Sequence, residues 1–164
     1  MTHLSRSFRM GLLRPLLIVA AGLTLLGSSS AQTARNRASG PAEADPIFHE
    51  YRGIQIGSPT DEVRKKLGNP ADKGEEQDFF VFGEKETAQV LYDKMHKVIT
   101  ISVDFTNGAS GVITPQQVFG GEIEAKPDGS KYKLVRYPKA GYWLSYNRTP
   151  GDTPLVTVTL QKMQ

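Results

Sequence analysis

Three stretches between residues 79 and 105 alternate or cluster as strands do. Residues 98–105 (VITISVDF) carry the clearest pattern, with Ile99, Ile101, Val103 and Phe105 in one phase and Thr100, Ser102 and Asp104 in the other. Such alternation predicts a strand in a sheet with one dry face and one wet face. Residues 79–82 (FFVF) and 88–92 (AQVLY) predict two strands ahead of it, joined by hairpin-length connections. A short helix over 59–67 precedes them. Ser58 is placed to cap it, Pro59 to occupy its first position, Val63 and Leu67 to share a face, and Gly68 with Pro70 to end it.

The same order then recurs. Thr114-Pro115-Gln116-Gln117 forms a second capping box. Strand patterns follow at 132–137, 142–146 and 155–160 (LVTVTL). A shift of 56 residues lays Phe119 and Ile123 on Val63 and Leu67. Shifts of 54 and 57 lay the later strands on the earlier ones, and the shift changes only where loops absorb it. The predicted fold class is therefore α+β: two tandem αβββ units, 52–106 and 111–163, with short helices packed on one face of antiparallel sheet. Chance similarity of two short α+β stretches is the alternative. Units of about 55 residues bury little apolar surface alone, so the two are expected to share one core as a single cooperative domain. Ile99, Ile101, Val103, Val156, Val158 and Leu160 are expected there, with Val63, Leu67, Phe119 and Ile123.

The first 31 residues read differently. Arg6, Arg9 and Arg14 precede an 11-residue apolar run, 16–26, and small residues end at Ala31. This is the layout of a Sec-type signal peptide cleaved after Ala31, which places the mature chain in the periplasm or outside the cell. An uncleaved anchor is the alternative, but a span needs roughly 20 apolar residues. No stable membrane insertion is expected after cleavage. Residues 32–51 read as a flexible linker followed by an arm, with Ile47, Phe48 and Tyr51 available to dock.

Charge and composition narrow the chemistry. Of 20 cations and 17 acids in 164 residues, three cations and no acid lie in the leader, so residues 32–164 are balanced and the pI near 9 gives no argument for a nucleic-acid partner. The chain has no cysteine, which removes disulfides, thiolate metal sites and a thiol nucleophile. Two histidines remain after the leader, His49 in the arm and His96 at a hairpin tip, and neither has zinc-site spacing. Ser130 and Lys133 match Ser-x-x-Lys, yet the companion motifs of that chemistry are missing and the match runs from a turn into a strand. Glu75-Glu76-Gln77-Asp78 lacks the alternation of a calcium loop and reads as a solvated acidic loop, and Arg64-Lys65-Lys66 as an ordinary solvent face of the helix. No enzyme and no cofactor is expected. A small hydrolase with an unrecognised carboxylate site is the remaining enzymatic alternative.

What survives is a candidate binding face. Trp143 alternates against Leu144 and Tyr146, in phase with Ser145. If the apolar set of each strand points to the helices, Trp143 and Ser145 join Thr157 and Thr159 on the open side, and these four are the candidate partner-binding residues. Burial of Trp143 in the core is the alternative. Unit one carries 8 cations and 10 acids, unit two (111–164) 7 and 4, an asymmetry that could steer the units together or toward a polar partner.

Residues 54–70 (IQIGSPTDEVRKKLGNP) carry a familiar pattern: Gly57-Ser58, then Glu62-Val63, then Gly68 and Pro70. The stretch resembles the opening of the SmpA/OmlA family of small outer-membrane assembly lipoproteins and of the related β-lactamase-inhibitor-protein-like (BLIP-like) fold. The tandem copy is closer to the two-repeat inhibitor arrangement. The resemblance implies helices on one sheet face and a concave opposite face that binds a protein partner of unidentified kind. It also implies an alternative role as a structural factor in bacterial outer-membrane assembly. Two departures stand out: the lipobox cysteine is absent, and the second copy has Glu124-Ala125-Lys126-Pro127 where Gly-x-Pro would fall.

Overall fold

A computed structural model describes residues 44–106 and 109–164. The leader, its cleavage site and residues 32–43 of the linker lie outside the described residues. Two helices and seven strands follow in the order α1 (Thr60–Leu67), β1 (Asp72–Lys73), β2 (Gln77–Val81), β3 (Glu86–Tyr92), β4 (Val98–Phe105), α2 (Pro115–Phe119), β5 (Lys131–Tyr137), β6 (Tyr142–Arg148) and β7 (Val156–Lys162). The fold is α+β. All seven strands form one sheet in the order β1-β2-β3-β4-β7-β6-β5, and every neighbouring pair is antiparallel.

The core lies on one face of this sheet. Ile101, Val103, Leu144, Val158 and Leu160 are fully buried there, together with Val63 of α1 and Val118 of α2. Clean alternation produces this: β6 and β7 bury every second residue from Tyr142 and from Val156.

Four expectations, those for Ile99, Phe119, Leu67 and Ser58, need correction. Ile99 is half-buried, because the register shifts between Leu91 and Tyr92. Tyr92 pairs with Val98 and Leu91 with Thr100, which leaves Ile99 as the extra residue of a bulge and gives its core place to Val98. In α2 the residue carried into the core is Val118, with Phe119 only packed against its margin; Leu67 of α1 is likewise marginal. The cause is a one-residue difference in the helix starts. Thr114 caps α2 with its hydroxyl, but the capping residue of α1 is Pro59, with no side-chain cap, so Val63 corresponds to Val118. Ser58 instead accepts a hydrogen bond from the Gln55 amide at 3.2 Å. Two-residue β1, which has no alternation to reveal it, was not expected.

Ahead of α1, Tyr51 is buried in the core and Phe48 packs against its margin, whereas Ile47 is exposed. Tyr51 and Ile54 exchange backbone hydrogen bonds at 2.9 and 3.0 Å, and Ile54 is fully buried. Arg52 holds the arm to β3: its guanidinium meets Glu86 at 2.9 Å and lies over the Phe82 ring, 4.1 Å from its centroid. The Tyr51 hydroxyl donates to the same carboxylate at 2.6 Å.

Ile101→Asp would place an unpaired carboxylate at the middle of the sheet, at a cost above the roughly 4 kcal/mol that marks an exceptional substitution. Cooperative thermal unfolding followed by circular dichroism should disappear in this variant.

Candidate functional site

The face opposite the core is built from the other half of each alternation. Register aligns it in rows. One row runs Gln77, Leu91, Thr100, Gln161, Trp143 and Arg136 from β2 to β5. The next runs Phe79, Gln89, Ser102, Thr159, Ser145 and Leu134, and a third Val81, Thr87, Asp104, Thr157, Asn147 and Tyr132. All four residues expected to bind a partner, Trp143, Ser145, Thr157 and Thr159, therefore share this face on two adjacent strands.

Its composition is uneven. The two middle strands, β4 and β7, present only hydroxyl, amide and carboxylate side chains in these rows. Ser102 and Thr159 lie 3.1 Å apart across the strand pair, and the Thr157 hydroxyl donates to Asp104 at 2.6 Å. Apolar side chains stand on the flanks instead, Phe79, Val81 and Leu91 on one side and Tyr132, Leu134 and Trp143 on the other. Val81 and Tyr132 are about half exposed, at 52% and 50%, whereas Trp143, Leu134, Phe79 and Leu91 are half-buried among their neighbours. Short polar groups thus separate two apolar banks, with Thr100 buried and the other five half-buried among their neighbours.

Two residues that the sequence assigned to solvent have another role. Asp78 is fully buried and Arg64 reaches it from α1, with Nε to Oδ2 at 2.8 Å and the second nitrogen to Oδ1 at 3.0 Å. The Tyr92 hydroxyl donates to Asp78 at 2.8 Å, and Arg64 also donates to the Gly74 carbonyl. Burial by itself would push the Asp78 carboxyl up; Arg64, Tyr92 and the Gly74 amide outweigh it and hold the group below the usual carboxylate range. This carboxylate is committed to fixing α1 against β2 and β3. Its signal lay in the strand phase: Asp78 is two residues before fully buried Phe80, so extending the strand to Gln77 places it inward.

His96 sits exposed in the β3–β4 turn, with a positive φ of 55°, and its carbonyl accepts from the Thr60 amide and hydroxyl. His49 is exposed in the arm. Ser130 lies in the turn before β5, where its hydroxyl donates to Asp128 at 2.7 Å. Among the described residues no cluster of three or more His, Asp or Glu side chains is spaced to hold a metal ion, and no helix is long and apolar enough to cross a membrane. No protein family model, curated protein or solved structure matches the chain.

One buried polar atom stands apart. The Tyr142 hydroxyl has no hydrogen-bond partner among the described residues, and burial beside Tyr137 pushes its pKa up to about 12. Tyr142→Phe removes that orphaned group and keeps the ring, so unfolding free energy should stay level or rise by about 1 kcal/mol in denaturant titration.

Asp78→Asn should behave oppositely. Removing the negative charge leaves Arg64 without its ion pair. Because the Arg64 side chain is 25% exposed, the loss at pH 7 should be about 2–3 kcal/mol, below the 3–5 of a wholly buried pair. The folded carboxyl titrates lower than the unfolded one, so this stability is full above about pH 4 and is lost as pH falls through the folded value. Wild type and variant should therefore converge in acid, which urea titrations at pH 7 and pH 2.5 would show.

Proposed function

We propose that this protein is an exported, non-enzymatic protein-binding module that receives its partner on the open sheet face. The observation that carries the reading is the placement of Trp143. It stands opposite the helices, with Ser145 and Thr159 in the adjoining row and Arg136 beside it on β5. Indole offers a flat apolar surface and one N–H donor, and tryptophan is among the residues that most often dominate binding energy. The flanking apolar banks and hydroxyl-rich middle match an interface with apolar anchors and a polar, adaptable remainder. Export rests on the leader, and places the protein in the periplasm or outside the cell.

The strand order supports a finer reading of the fold as two tandem αβββ units. From the central β4–β7 pair outward, β3 then β2 on one side correspond to β6 then β5 on the other. That arrangement is in keeping with the resemblance to BLIP-like repeats. A second reading, a structural factor in outer-membrane assembly, draws on the Gly57–Pro70 pattern. Stable co-fractionation with outer-membrane protein complexes would favour it over a freely diffusing binder.

Trp143→Ala discriminates binding from folding. The protein, immobilised, should retain a specific envelope partner that mass spectrometry identifies and calorimetry then quantifies. The variant should lose at least about 2 kcal/mol of binding free energy, while its stability falls by less than the roughly 3–5 kcal/mol of a core tryptophan. Equal partner affinity in both proteins would overturn the open-face reading.

A further inference from the structure

The sheet ends differently at its two sides. At one edge β1 covers β2, and the Ala71 amide donates to the Phe79 carbonyl at 2.7 Å. At the other edge β5 pairs, among the described residues, with β6 alone. Which β5 groups point outward follows from two bonds. The Met163 amide donates to the Gly141 carbonyl at 2.8 Å, and the Thr149 amide to the Leu155 carbonyl at 2.9 Å. Odd residues of β6 therefore bond toward β7 and even ones toward β5. In the β5–β6 register the even ones meet Lys131, Lys133, Val135 and Tyr137. Tyr132, Leu134 and Arg136 then turn their N–H and C=O groups away from the sheet. One position earlier, the outward Ser130 carbonyl is taken by the Lys126 amide at 2.8 Å, so the free stretch begins at Tyr132.

The edge strand itself carries cations only: β5 holds Lys131, Lys133 and Arg136 and no acid. Lys131 is shared with Glu122 at 3.3 Å, and Lys133 lies over the Phe119 ring at 4.8 Å on the helix side. Lysines on a free edge discourage two copies from pairing, because each would bring its cations against the other's. The same charge leaves an acidic strand admissible.

We infer that the outer edge of β5 is a strand-addition site for an extended acidic segment of a partner protein. The inference takes from the reading above only that the partner is a protein. Residues paired across a ladder share a face, so the side chains of the added strand divide by alternation. Those opposite Lys131 and Lys133 lie on the helix side and are acidic. Those opposite Tyr132 and Leu134 lie on the open face and are apolar, continuing the bank that holds Trp143. Exposed backbone groups give affinity and the alternating side chains give specificity. Nucleic acid would satisfy the cations and aromatic rings but not the ordered row of outward N–H and C=O groups.

A fluorescein-labelled peptide of alternating Glu and Val, about seven residues long to match β5, tests the inference against the purified protein by anisotropy. Binding is expected, weakening as salt rises, with none for the Lys/Val counterpart. N-methylation of one alternate set of amides should abolish it and methylation of the other should leave it. Leu134→Pro removes an outward N–H that no ladder bond uses, whereas Leu134→Ala keeps that N–H and removes a comparable side chain. The proline variant should bind roughly tenfold more weakly than the alanine variant. Equal affinity of the two methylated peptides, equal affinity of the two Leu134 variants, or binding of a labelled oligothymidylate in place of the peptide would overturn the inference. The methylated peptides need only wild-type protein, so the test holds even if Leu134→Pro does not fold. Loss of partner binding in Trp143→Ala without a difference between the Leu134 variants would leave the open face standing and remove the edge. The reverse pattern would keep the edge and remove the open face.

Discussion

Strands β4 and β7 meet antiparallel over six residue pairs, and the contents of both sheet faces follow from that register. Ile101 opposes Leu160 and Val103 opposes Val158, so the four residues form a fully buried block at the centre of the sheet. The helices add Val63 and Val118 to the same block. A slip of one residue between these strands would turn the apolar set of one half toward the wet face of the other. Such a slip is opposed twice. It would expose the block on one side, and on the other it would part the Ser102–Thr159 and Thr157–Asp104 pairs.

The same register gives the open face its character. Because β4 and β7 are central, their outward residues fall in the middle of the sheet, and these are short hydroxyl, amide or carboxylate groups. Larger apolar groups are left to β2, β3, β5 and β6. A uniformly apolar face of this size would invite indiscriminate association, and a uniformly polar one would give a partner little area to bury. Apolar banks about a polar middle lie between these limits. The edges extend the contrast, since short β1 shields β2 while β5, among the described residues, turns a row of backbone groups outward beside its cations.

The Arg64–Asp78–Tyr92 cluster fastens α1 to the sheet. A helix of eight residues has little stability of its own, and its packing onto the sheet rests on Val63 together with this polar contact. Desolvating a carboxylate is costly, but here both oxygens are occupied by charged or hydroxyl donors, which offsets the cost. Gly57 and Gly68, both within the Gly57–Pro70 pattern, have local backbone duties. Both adopt a φ of 88°, Gly57 where its amide joins the Val98 carbonyl at 2.8 Å and Gly68 where α1 ends. Helix entry and exit thus account for part of that sequence pattern.

Alternation in the sequence determined the α+β class, the core phase of β6 and β7, and the face on which Trp143, Ser145, Thr157 and Thr159 stand, because side-chain direction in a strand has a fixed period of two. The capping box at Thr114 was equally legible, since its partners lie three residues apart. Contacts between distant segments left no such periodic mark. Only the tertiary structure paired Arg64 with Asp78 across 14 residues, put the bulge at Ile99, and made Pro59 the capping residue of α1. It alone also decided that β4 joins β7 and that β5 is left at the edge. Strand neighbours are chosen by the area that a whole arrangement buries, a quantity that belongs to no single segment of the chain.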